Sequence, residues 1–108
     1  MEPTVLYTPD SKGKAWSEVA TNADVVTLRD DTSRGARSIL VRLRAGGEVV
    51  AHAHAGPVQH FVLDGSVECD GKTLEAGTYV HYPAHSSFGR MTSKDGAELL
   101  ILLDPEPR

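Results

Sequence analysis

The chain is poor in cysteine, in basic residues and in long apolar runs, and each shortage excludes a class of protein. A single cysteine, Cys69, in 108 residues rules out an internal disulfide and a thiolate zinc cluster, and fits a reducing compartment. Eleven basic residues against fifteen acidic ones leave a formal net charge of −4. Nucleic-acid-binding domains normally carry a basic stripe, so no nucleic-acid partner is expected. The longest aliphatic run is Leu99–Leu103, far below the ~20 residues of a helical membrane span, so no membrane association is expected. Met1-Glu2-Pro3-Thr4 has no basic region ahead of an apolar stretch, so a cytoplasmic location is expected. No Gly-rich phosphate loop, nucleophile elbow or catalytic triad pattern is present. With 40% hydrophobic and 24% charged residues, the composition is that of an ordinary globular protein, and the length fits one domain. What the chain does concentrate is histidine. There are five, and all lie between positions 52 and 85.

Turn signals are frequent. Asp-Gly occurs at Asp64-Gly65, Asp70-Gly71 and Asp95-Gly96, with Gly46-Gly47, Gly56-Pro57, Ala76-Gly77 and Pro83-Ala84 between them. Asp-Gly between apolar runs is a hairpin signal, because both residues tolerate positive φ. Between the turns the apolar period is two: Ile39, Val41 and Leu43 alternate with Leu40, Arg42 and Arg44. Val58–Leu63, Thr78–Tyr82 and Ala97–Leu103 read as further strands. Short strands at this spacing predict an all-β sandwich or barrel. Lys12–Ala20 reads as a short helix. Trp16, Val19, Val25, Val26 and Leu28 read as an N-terminal arm or strands covering one end of the barrel.

The candidate site starts from His52-Ala53-His54. Residues i and i+2 of a strand share a face, so both imidazoles would project together, and imidazole suits the common divalent transition metals. Ala55-Gly56-Pro57 reads as a three-residue loop. If His54 pairs with Val58, His52 pairs with His60, and the three imidazoles share a face. A one-residue shift would instead turn Gln59 inward and His60 outward. His81 reads as a strand residue lining or flanking a cavity, and His85 as a surface-turn residue. Gln59 and Tyr82 could supply hydrogen bonds to a ligand, and Phe88 could form an apolar wall. Asp30-Asp31 with Arg34 and Arg37 reads as a solvated loop flank. Cys69, in step with Val67, reads as a small buried hydrophobe.

These residues resemble the cupin superfamily, the small double-stranded β-helix (jelly-roll) barrels. The first cupin motif runs Gly-x5-His-x-His-x(3,4)-Glu-x6-Gly. Here Gly46, His52, His54 and Gly65 fit it, with Val58 at the glutamate place. The second runs Gly-x5-Pro-x-Gly-x2-His. Gly77 and Pro83 fit, with His85 at the glycine place and Phe88 at the histidine place. The resemblance implies a single cupin domain over 1–108: an N-terminal arm or strands over 1–30, the first motif at 46–65 and the second at 77–88. His52-x-His54-x-Gly56-Pro57-Val58, Phe61–Gly65, Tyr79 and Pro83-Ala84 are most similar to acetylacetone and dihydroxyacetophenone dioxygenases, which lack the cupin glutamate and use three histidines on non-haem iron. Thr92–Ala97 and the Trp16 arm are similar to the cupin lobe of zinc-dependent anti-sigma factors.

Two readings follow, with His52 and His54 placed by the resemblance and His60 by the cross-strand register. One is a small metal-dependent enzyme with His52, His54 and His60 holding a divalent transition metal (Fe, Zn, Ni or Mn). Gln59, Tyr82 and Phe88 would then line a pocket for a small oxygen-rich or diketone-like substrate, turned over in dioxygenase-like or isomerase/cyclase-like chemistry. The other is a non-catalytic module that binds a metal or small ligand. A homodimer is expected in either case.

Overall fold

The computed structural model describes residues 16–31, 33–49, 54–86 and 89–106. His52 and Phe88, and with them the first half of the His-x-His pair, lie outside the described residues.

Nine strands form among the described residues: β1 (Ser17–Ala20), β2 (Ala23–Asp31), β3 (Ala36–Leu43), β4 (Gly47–Val49), β5 (Val58–Cys69), β6 (Lys72–Glu75), β7 (Tyr79–Tyr82), β8 (Met91–Ser93) and β9 (Ala97–Leu103). All pair antiparallel, in the order β1-β2-β3-β9-β5-β8-β4, with β6 and β7 also bonded to β5. The all-β fold anticipated from the turn spacing forms, as a nearly closed barrel with the jelly-roll arrangement that the cupin resemblance implies. Ser17–Ala20 is an edge strand rather than the end of a helix. Its pairing with β2 gives the backbone a ladder that a short isolated helix could not match, since helix nucleation is costly. Just before it, the Arg42 guanidinium lies 4.0 Å from the centre of the Trp16 ring, a cation–π contact that fastens this edge to β3.

β5 is the strand on which the architecture turns. Its first half pairs with β9 and β7, and its second half with β6 and β8. Asp64-Gly65 is therefore not a hairpin turn. It is a bulge inside one continuous strand: Val62 faces Leu99 and Gly65 faces Ala97, so β5 carries one residue more than β9 over this stretch. Gly65 has a φ of 71°, and a Cβ there would stand 2.1 Å from the Gly96 carbonyl oxygen. Only glycine fits both the left-handed backbone and the close approach. The extra residue also switches parity. Val58, His60 and Val62 face inward before the bulge, and Val67 and Cys69 after it, all five buried. By contrast Asp70-Gly71 is a true two-residue hairpin, with Cys69 opposite Lys72 and positive φ at both turn residues.

The core is aliphatic and runs through both halves of β5: Val41 and Leu43 from β3, Leu99 and Ile101 from β9, and Met91 from β8 pack against it. Cys69 belongs to this core, as its alternation with Val67 suggests. Its burial, and then the charge of neighbouring Asp70, push the thiol above its ordinary range, while hydrogen bonding from Tyr82 and from the Gly89 backbone partly offsets them.

Two outcomes are expected. Gly65→Ala should destabilise the fold by at least ~1–3 kcal/mol in urea unfolding; wild-type stability would contradict the bulge assignment. Folded protein at pH 8 should react with iodoacetamide at Cys69 at least about tenfold more slowly than urea-unfolded protein, by mass spectrometry, because the thiolate is the nucleophile. A thiol raised in the folded state contributes stability below its unfolded pKa that is lost as pH rises through the folded value. Stability should therefore decline above the ordinary thiol value of 9.0.

Candidate functional site

The inward faces of β2, β3, β5 and β9 do not fill the barrel completely. Between them lies a cavity of about 160 Å3. Val25, Ile39, Val41, Ile101 and Leu103 form an aliphatic wall, and Val19 and Val49 close its sides. Among the described residues three polar side chains also reach it: His54, His60 and Arg37.

His60 arrives from β5. It lies opposite Ile101 of β9 on one side and Val80 of β7 on the other, and only 1% of it is exposed. Its ring centre is 4.8 Å from that of Tyr82, the planes tilted by 57°. Tyr82 sits opposite Val58 at the end of β7 and packs against the core. Its far side borders a neighbouring cavity with Cys69, Asp70 and Val80. Burial, and then the nearby Cys69, raise the Tyr82 phenol well above the usual tyrosine range. It stays a neutral hydroxyl at any physiological pH.

His54 reaches the same cavity from a different direction. It does not pair with Val58. Both edges of Val58–Phe61 are already bonded, to β9 on one side and β7 on the other, so no third strand can add there. His54 docks instead on the turn after β7: its amide donates to the Ser86 carbonyl at 3.4 Å, and its carbonyl accepts from the His85 amide at 3.0 Å. Gly56 then seats this segment on the chain after β9. A Cβ at Gly56 would stand 2.0 Å from the Asp104 carbonyl oxygen, and the Asp104 amide donates to the Pro57 carbonyl at 3.0 Å. His54 and His60 line one cavity, His54 being held there through these contacts and not through the hairpin register argued from sequence.

The remaining expected residues divide. Gln59 has odd parity in β5 and points away from the cavity. Its amide donates to the Asp104 carboxylate at 2.9 Å and accepts from the Tyr79 hydroxyl at 2.9 Å. His81, opposite Gln59, is exposed on the same outer face. His85 adopts a φ of 61° in the turn after β7, exposed, with Nε2 3.6 Å from Glu106. Asp30 and Asp31 close β2 and are not a loop flank, and Arg37 too differs from the sequence reading. It is the second residue of β3, not a loop flank, and it is in step with Ile39, Val41 and Leu43. That parity was visible in the sequence.

A metal has a partial donor set here. His54 and His60 bring two imidazoles to one cavity, and imidazole is a proper donor for divalent transition metals. Among the described residues no group of three or more His, Cys, Asp or Glu stands together as a ligand set. The third imidazole expected from the sequence, that of His52, belongs to the residues outside the description.

The fold has well-determined relatives. The acetylacetone dioxygenase of Acinetobacter johnsonii superposes with a TM-score of 0.77 at 16% identity, over 96% of this chain and 76% of that one. KdgF from a Halomonas species gives 0.72 at 18%, over 99% and 96%. The complex of Rhodobacter sphaeroides SigE with the anti-sigma ChrR gives 0.71 at 18%, over 82% of this chain and about half, 48%, of that one. At these identities the likeness is one of fold. No functionally curated protein is recognisably similar in sequence. The model of the ChrR cupin-like domain, however, matches residues 6–105, nearly the whole chain, and on that match the chain belongs to the ChrR cupin-like domain family of the cupin superfamily.

Proposed function

We propose that the chain is a small metal-dependent cupin that acts on a small oxygen-rich or diketone-like organic molecule, in dioxygenase-like or isomerase/cyclase-like chemistry. His52, His54 and His60 are its ligands for a divalent transition metal, drawn from Fe, Zn, Ni and Mn. The observation that carries the reading is the meeting of His54 and His60 at one apolar cavity from two independently anchored segments. Such a metal, when bound, supplies Lewis acidity toward a substrate oxygen. The chain's own part is to fix and to exclude. Tyr82 packs on the His60 ring and sets its tilt. Gly56 and the Ser86 carbonyl hold the backbone of His54. Ile39, Val41 and Ile101 give the site a wall with no hydrogen-bonding groups, which keeps water away and strengthens polar interactions inside.

The family match favours a second reading. The ChrR relative is an anti-sigma factor, so this barrel could hold a metal or small ligand without turning it over. Oxygen uptake or product formation from pentane-2,4-dione by metal-loaded protein separates the two. Turnover supports the enzyme, and stoichiometric binding without turnover supports the module.

Purified protein should contain close to one equivalent of transition metal by elemental mass spectrometry. His54→Ala and His60→Ala should each lower metal affinity by roughly tenfold or more, since changes even one shell further out have that effect. Protein that takes up no metal under any loading condition would refute the proposal. A homodimer is also proposed. Phe61 and Tyr79, 41% and 53% exposed, lie opposite one another on the outer faces of β5 and β7 with ring centres 6.4 Å apart, an apolar patch suited to a two-fold contact. Light scattering after gel filtration should give twice the chain mass, and Phe61→Asp should halve it. A wild-type monomer would refute this.

A further inference from the structure

We propose that Arg37 is a specificity residue that selects a carboxylate-bearing ligand for the His54–His60 cavity. The inference rests on the reading of that cavity as the ligand site, and narrows its substrate class from neutral diketones to short oxo acids.

Arg37 is the single formally charged side chain among the described residues that line the cavity. Its place there follows from register. It lies opposite Leu103 of β9, and Leu103 lies opposite Val58 of β5, so one row of inward side chains crosses three strands at the cavity's open end. Ile39, two residues on, continues the same wall inward to the His60 row. The arginine stem can therefore lie along aliphatic side chains while its head stays in water at the rim. The side chain is 44% exposed.

The guanidinium is poorly committed elsewhere. Among the described residues its one carboxylate neighbour is Asp30, facing it from β2, at 3.8 Å from Nε and itself 42% exposed. That is a long, screened ion pair of little net worth. Asp31 at the end of β2 and Glu106 after β9 are engaged elsewhere: Asp31 with Arg29 at 3.3 Å and with the Ser33 hydroxyl at 3.0 Å, and Glu106 with His85 at 3.6 Å. An incoming carboxylate can displace Asp30 and take the guanidinium in the two-point geometry that arginine favours.

Size and polarity set the rest of the ligand. A cavity of about 160 Å3 is comparable to an engineered apolar cavity of ~150 Å3 that takes benzene, so about six non-hydrogen atoms fit inside. The wall between Arg37 and His60 is aliphatic, and the two stand in adjacent inward rows two strands apart. The complementary molecule has a carboxylate at one end, a short apolar spacer, and a carbonyl or hydroxyl oxygen at the other.

The test compares two molecules of equal size, 4-oxopentanoate and hexane-2,5-dione, which differ by a carboxylate in place of an acetyl group. Binding is measured by calorimetry on full-length protein, with and without added metal. Wild type should bind the acid on the order of tenfold more tightly than the diketone, as charged hydrogen bonds allow. Arg37→Gln should abolish that preference while leaving the diketone unaffected. Arg37→Lys should keep only part of it, and Asp30→Asn should tighten acid binding by removing the competing carboxylate. Equal binding of both molecules, unchanged by Arg37→Gln, would overturn the inference and leave the cavity standing as the ligand site. Binding of neither would overturn both.

Discussion

The barrel depends on one strand belonging to two sheets. β5 enters between β9 and β7 and leaves beside β6 and β8, and the bulge at Gly65 makes the change of partners possible without turning the strand's apolar side outward. If the bulged residue were deleted, every side chain after it would exchange faces. Val67 and Cys69 would go to solvent, and Glu68 and Asp70 into the core. The single inserted position therefore holds the two halves of the core in one interior. Its glycine is required on two counts, the positive φ and the approach of the Gly96 carbonyl.

The same sharing of β5 dictates how the site is assembled. With both edges of Val58–Phe61 occupied, the segment carrying His54 cannot be a ladder neighbour of the strand carrying His60. It lies across the mouth instead, bonded to the turn after β7 and wedged by Gly56 on the chain after β9. Three non-adjacent pieces of sequence thus hold one imidazole. A shift in the 83–86 turn or in residues 104–105 moves His54 without touching His60, so the separation of the two imidazoles is set by loop docking and not by strand register.

How much of this was legible follows from where the information sits. Alternation in β3, β5 and β9 is local, and it gave the strands and the buried Cys69, whereas the inward side of His60 was argued from a hairpin pairing that does not form. The cupin spacing around Gly46, His52, His54 and Gly65 gave the fold and the neighbourhood of the site. The hairpin reading of Asp64-Gly65 failed because a turn and a bulge ask for the same residues, those at ease with positive φ. The parity change between Val62 and Val67 was the distinguishing mark, and it is a property of the strand and not of the dipeptide. Gln59 and His81 face outward as partners of one another. That pairing is between residues far apart in sequence, and no local pattern encodes it. Arg37 was misjudged because charge was allowed to outweigh parity.

That misjudgement bears on how the cavity is to be understood. Ile39, Ile101 and His60 occupy one inward row across β3, β9 and β5, and Arg37, Leu103 and Val58 occupy the next. In each row, aliphatic side chains hold two of the three places. An isoleucine or valine at 60 would serve packing at least as well, since a buried imidazole must have its polar atoms met while an aliphatic side chain asks for nothing. A leucine at 37 would extend the wall toward the rim. The polar residues therefore contribute less to the fold than their apolar substitutes would. They face a cavity whose other described lining residues, His54 apart, are aliphatic. An imidazole and a guanidinium held two strands apart along an aliphatic wall define a direction along it, and a ligand that satisfies both must carry two polar groups with apolar atoms between them.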